Sequence, residues 1–208
     1  MNYLEKVELW KNNPNLEPSL RKELEAMNDK ELEDAFAVDL EFGTGGLRGV
    51  LGAGTNRMNI YIVAKATLGF GRYLLKQSDV AGARGVAISH DNRHQSKEFA
   101  RMSAEVLTSL GFRVFLFEDL RPTPELSFAV RHFHCIGGIM ITASHNPKEY
   151  NGYKIYDETG CQLVPKEADK VIAEINEIQD YFNIETSKNH ELIQSVSYTH
   201  LRAHETGA

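Results

Sequence analysis

The segment Thr142-Ala-Ser-His-Asn-Pro147 follows an apolar run, so Ser144 is expected at the tip of a turn with its hydroxyl open to a cleft. A serine hydroxyl is a weak nucleophile at neutral pH. It needs a base, a cation or a metal beside it before it can take or give a phosphoryl group. Three basic side chains are candidates for that company: His145 is adjacent, Lys154 ends Asn151-Gly-Tyr-Lys154, and Arg48 lies in the loop Phe42-Gly-Thr-Gly-Gly-Leu-Arg-Gly49. Phosphoryl transfer depends on positioning and on stabilising charge over the transferring oxygens, which suits a guanidinium fork and an ammonium point charge. Each residue also has a plainer reading. Ser144 can be an ordinary turn residue, Arg48 a solvated loop arginine, and Lys154 the partner of Asp157 on a strand face. His145 has two readings, an assisting group or a ring bonded to a backbone carbonyl that shapes the turn.

Such residues need a scaffold, and the apolar pattern predicts one. Residues 3–36 carry Leu, Glu and Lys at helical spacing, broken at Asn13-Pro14 and Asn28-Asp29, which predicts about three short helices. Residues 39–59 are polar and dense in glycine, and are expected to form a turn-rich loop over a sheet edge. A helix over 60–76, a strand over 85–89, a helix over 97–110, a strand over 112–117, a helix over 124–133 and a strand over 135–142 follow. An antiparallel strand over 152–157 and a helix over 165–178, opening on Pro165, complete the pattern. This alternation predicts an α/β fold: a mixed, largely parallel sheet layered with helices and preceded by a helical extension. The polar segments 89–94, 118–124 and 142–152 then fall at strand carboxyl ends, where ligands collect.

Composition excludes several classes. A formal net charge of −6 argues against a general nucleic-acid surface. No apolar stretch reaches the roughly 20 residues a membrane helix needs, and the charged N-terminus lacks a signal-peptide core, so a cytoplasmic protein is expected. Cys135 and Cys161 are too few for a disulfide framework and read as free buried thiols. No Gly-Lys-Ser/Thr follows the glycine loop, which removes a nucleotide-binding reading. His132, His134 and Cys135 lack a second ligand pair at zinc spacing and read as packing residues. Asp91 and Arg93 follow a strand end, where an ion pair that pins the loop is as good a reading as entry into the cleft.

Four motifs taken together resemble the α-D-phosphohexomutase superfamily, the phosphoglucomutase and phosphomannomutase enzymes. They are the loop at 42–49, Ser89-His-Asp-Asn-Arg93, Pro122-Thr-Pro124, and the Ser144 segment followed by Asn151-Gly-Tyr-Lys154, and they span residues 40–165. The resemblance implies a helical extension over 1–38, an α/β/α first domain over 39–182, and a truncated linker and disordered tail over 183–208. It implies a phosphorylated Ser144 in the resting enzyme, Mg²⁺ bound partly through that phosphoserine, and interconversion of sugar 1- and 6-phosphates through a bisphosphate. Glucose 1,6-bisphosphate is the implied activator and sugar phosphates the implied partners. Lys154 is then the proton-transfer candidate, Arg48 the phosphate holder and His145 an assisting group. The long form of the glycine loop, with Gly52-Ala-Gly-Thr-Asn-Arg-Met-Asn59 after it, is similar to the branch acting on glucose or pentose phosphates. The Asp-rich metal loop of the family has no counterpart in the chain, so weak Mg²⁺ binding and incomplete turnover are expected of it. Residues 195–208 resemble translated adapter read-through. The alternative to a mutase domain is a non-catalytic phosphosugar-binding or regulatory module. A small phosphatase or kinase acting through Ser144 lacks a supporting second acid/base pair. Oligomeric state is not written in these motifs.

Overall fold

The computed structural model describes residues 2–43, 45–189 and 191–197. Three helices open the chain, α1 (Tyr3–Asn12), α2 (Pro18–Ala26) and α3 (Asp29–Phe36). Asn2 and Asn28 start α1 and α3 with capping boxes, in which Glu5 and Glu31 reach back to the cap amides. Their apolar faces bury Trp10 and Phe36 completely and close over Ala53 and Tyr61. Trp10 donates its indole N–H to the Tyr181 hydroxyl at 2.9 Å, which ties the extension to the far end of the domain.

The remaining elements are β1 (Leu47–Val50), α4 (Ile60–Gln77), α5 (Ala81–Arg84), β2 (Val86–His90), α6 (Ser96–Ser109), β3 (Val114–Phe117), α7 (Thr123–His132), β4 (Gly137–Ile141), β5 (Tyr150–Asp157), α8 (Pro165–Asn176) and β6 (Ile193–Val196). The strands form one sheet in the order β1-β5-β4-β2-β3-β6. Strands β4, β2, β3 and β6 run parallel, while β5 is antiparallel to both β4 and β1. β2 and β4 are buried at every position, as strands covered on both faces must be. Phe70, Phe99, Leu107 and Val171 from α4, α6 and α8 pack on Ile88, Ile139 and Ile155 of one face. Leu126, Ala129 and Val130 of α7 pack on Ala87, Met140 and Tyr156 of the other.

Three expectations are corrected. The glycine-dense stretch is not loop throughout, because β1 lies within it and pairs Leu47 to Val50 with Tyr153 to Tyr150. Gly46, at φ 100°, admits the chain to that strand, since a Cβ there would fall 2.0 Å from the Tyr153 carbonyl oxygen. The linker and tail expected from residue 183 are ordered over part of their length. β6 extends the sheet beside β3, and the Ser187 amide and carbonyl bond to Glu105 and Thr108 of α6. Its polar sequence and distant partner conceal this strand, and residues 198–208 lie outside the described residues. The two thiols also differ, with Cys135 buried and Cys161 exposed.

No helix of the described residues is long and apolar enough to cross a membrane. Burial pushes the Cys135 thiol up to about 12, so at neutral pH it is protonated as well as inaccessible. A thiol reagent is therefore expected to label Cys161 alone in the native chain and both cysteines after denaturation; two reactive thiols in the native state contradict this packing.

Candidate active site

Ser144 stands three residues beyond the end of β4, on the turn that leads into β5. Its backbone is left-handed, at φ 54°, a conformation that costs a side-chain-bearing residue about 1–2 kcal/mol. Local bonds hold it there. The Ser144 amide donates to Thr142 Oγ1 at 3.0 Å, and the Asn146 amide donates to the Ala143 carbonyl at 3.1 Å. Ser144 is exposed on this turn.

The antiparallel return of β5 brings Lys154 back to this turn. Lys154 pairs with Met140 in register, and its ammonium donates to Ser144 Oγ at 3.0 Å. Tyr153 and Ile155 face the α4 and α8 side, so alternation along the strand puts Lys154 on the α7 side with Tyr156. Arg48 pairs in register with Gly152 and shares that face, because its neighbour Leu47 joins the opposite core. Gly152 allows three strands to meet here: a Cβ on it would lie 2.5 Å from the Thr142 carbonyl oxygen and 2.9 Å from that of Leu47. Arg48 Nη1 donates to Asn146 Oδ1 at 3.1 Å, which links the glycine-loop strand to the serine turn.

Ser144, Lys154 and Arg48 are thus brought together across three adjacent chain segments. His145 lies on the same turn with its ring exposed, and it forms no hydrogen bond among the described residues, so the bond to a carbonyl that its structural reading requires is not made. Asp91, Asn92, Arg93, His94, Asn146 and Lys148 line a depression of ≈ 330 Å³ with Ser144. A larger cavity of ≈ 590 Å³ is lined by Lys6, Asp39, Lys65 and Tyr181 and not by Ser144, while Lys154 and Arg48 reach the smaller depression only through their bonds to Ser144 and Asn146. Chemistry, not size, selects the smaller one.

The ion pair given as one reading of Asp91 and Arg93 is present, with Nε 3.4 Å from Oδ2, but sequence reasoning missed the other supports of the turn. Arg93 donates to the carbonyls of Ser144, Asn146, Pro147 and Tyr150. Asn151, fully buried, donates to the His94 carbonyl and to Ser96 Oγ, each at 2.9 Å. These acceptors are mostly backbone, which residue types and spacing do not display.

The described residues do not compose a Mg²⁺ site. No group of three or more His, Cys, Asp or Glu among them could hold a metal. Asp91, the carboxylate bordering the depression, already accepts from Ser96 Oγ at 2.7 Å and from the Arg93 amide at 3.0 Å. An octahedral oxygen set must come largely from elsewhere.

Residues 39–182 match the model of the phosphoglucomutase/phosphomannomutase family, alpha/beta/alpha domain I. The chain belongs to this family. It is 43% identical over 161 residues to phosphopentomutase of Mus musculus, covering 74% of this chain and 26% of that protein. It is 42% identical over 177 residues to phosphoglucomutase of Staphylococcus saprophyticus, covering 85% and 31%. A crystal structure named for a putative phosphomannomutase of Thermus thermophilus superposes with a TM-score of 0.64 at 33% identity, covering 77% of this chain and 33% of that one. The chain therefore spans 26% to 33% of the length of these family members.

The left-handed turn of this domain I gives a stability prediction. Ser144→Gly and Ser144→Ala both remove the hydroxyl, but only glycine relieves the positive φ. Ser144→Gly is expected to be more stable than Ser144→Ala by about 1 kcal/mol in denaturant unfolding. Equal stabilities contradict the left-handed assignment.

Proposed function

We propose that the chain is the phosphoserine-bearing part of a phosphosugar mutase, with Ser144 as the residue that carries the phosphoryl group. The observation that supports this most is the 3.0 Å contact between Lys154 Nζ and Ser144 Oγ on an exposed turn. A serine held against an ammonium has its oxygen stabilised whenever charge develops on it.

In this reading the phosphoryl group passes from Ser144 Oγ to a hydroxyl of a sugar monophosphate. One P–O bond breaks at Oγ, another forms at the sugar, and the proton lost by the sugar hydroxyl ends on Oγ. Lys154 is the group that hands a proton to Oγ and recovers one from the hydroxyl. Arg48, exposed and held by Asn146, presents its remaining donors to the phosphate. His145 is an assisting group on the same exposed turn. The bisphosphate so formed returns its other phosphoryl group to Ser144, and the released product is an isomer.

Glucose 1- and 6-phosphates are the proposed substrates, with glucose 1,6-bisphosphate as activator and the cytoplasm as the compartment. The phosphoglucomutase and phosphopentomutase relatives support a hexose or pentose phosphate. An oxygen of the phosphoserine is the contribution this chain would make to Mg²⁺.

Protein expressed from the complete gene and treated with glucose 1,6-bisphosphate is expected to carry one phosphate, mapped by mass spectrometry to Ser144. Ser144→Ala should carry none and show no turnover, and Lys154→Met should lower kcat by about 100-fold or more. Normal turnover by Ser144→Ala overturns the mechanism. Binding of sugar phosphates without phosphate on Ser144 favours a binding module instead.

A further inference from the structure

Arg93 borders the same depression as Ser144, yet both terminal nitrogens of its guanidinium are engaged by backbone carbonyls. Nη1 donates to the carbonyls of Pro147 at 2.8 Å and Tyr150 at 3.0 Å. Nη2 donates to those of Ser144 at 2.9 Å and Asn146 at 2.6 Å. Nε faces Asp91 Oδ2 at 3.4 Å. Four of the five N–H donors of the guanidinium are thus spent on carbonyls, and the fifth faces a carboxylate. Arg48, by contrast, gives one bond to Asn146 and is otherwise free among the described residues.

Three of these carbonyls belong to the serine turn and the fourth, that of Tyr150, opens β5, and one planar fork reaches all of them. Its orientation is fixed in turn. Asp91 Oδ1 accepts from the Arg93 amide and from Ser96 Oγ, and Ser96 accepts from buried Asn151, the residue that begins the return toward Lys154. Asn146 is held twice over, by its carbonyl on Arg93 and by its side chain on Arg48.

We propose that Arg93 is the positioning residue of the serine turn, setting the backbone that aims Ser144 Oγ at Lys154 and that presents Asn146 to Arg48. Lysine cannot replace it, because a point-charge ammonium with three donors cannot span four carbonyls. The catalytic consequence rests on the mutase reading; the conformational one does not.

The test combines hydrogen exchange and phosphorylation on protein expressed from the complete gene, comparing wild type, Arg93→Lys and Arg93→Ala. Exchange in residues 143–150 should rise at least about 10-fold in both variants, as expected for losing charge-assisted bonds. β2, β4 and α6 should keep their protection. Methylguanidinium added to Arg93→Ala should restore part of the protection and part of the activity. The rate of Ser144 phosphorylation by glucose 1,6-bisphosphate should fall about 100-fold, the scale of a small misplacement, with half-saturating bisphosphate little changed. Unchanged exchange at 143–150 in both variants overturns the proposal. So does protection lost evenly across the sheet, which would make Arg93 a determinant of folding alone. If wild type takes no phosphate while exchange behaves as stated, the mutase reading fails and the positioning role stands.

Discussion

In a sheet whose other interior strands run parallel, β5 must turn back beside β4, and the arrangement of the site depends on that antiparallel return. It sets Lys154 opposite Met140, close enough for an extended ammonium to reach the serine just past the strand end at 3.0 Å. Because β1 then pairs antiparallel with β5, Arg48 arrives on the same face. Arg48, distant in sequence, joins Ser144 and Lys154 because two strands meet their partners in the right register.

The return is tight, and its tightness has a chemical cause at each point. Gly152 lets the carbonyls of Thr142 and Leu47 approach to distances no side chain tolerates. Ser144 accepts a left-handed backbone whose cost, about 1–2 kcal/mol, is comparable to what one hydrogen bond to a charged group contributes, about 1.5–3 kcal/mol. Arg93 supplies four such bonds. A turn that is costly on its own is therefore stable in this setting, and its exposed oxygen is held in place before any ligand arrives.

Much of this was legible in the sequence, for physical reasons. Helical spacing and the Asn-Pro and Asn-Asp breaks mark α1 to α3, and continuous apolar runs mark β2 and β4. Ser144, Lys154 and Arg48 stand out because their types suit phosphoryl chemistry. The rest was hidden where backbone, not side chain, carries the interaction. Arg93 works on carbonyls, β1 is masked by its glycines, and β6 is a polar edge strand recruited from far along the chain. The docking of Trp10 on Tyr61, Tyr181 and Phe182 unites residues that no local periodicity relates.

The mechanism depends on the Lys154 ammonium acting on the oxygen of residue 144, with Arg48 one residue contact away through Asn146. A ³¹P titration of the 208-residue chain synthesised with phosphoserine at that position tests it most directly. A phosphomonoester has a second pKa of about 6, and neighbouring cations favour its dianion, so the site should titrate below that value. Replacing Lys154 with Met should move the titration back up toward about 6. A phosphoserine that titrates like the free amino acid, with no response to Lys154→Met, would contradict the account.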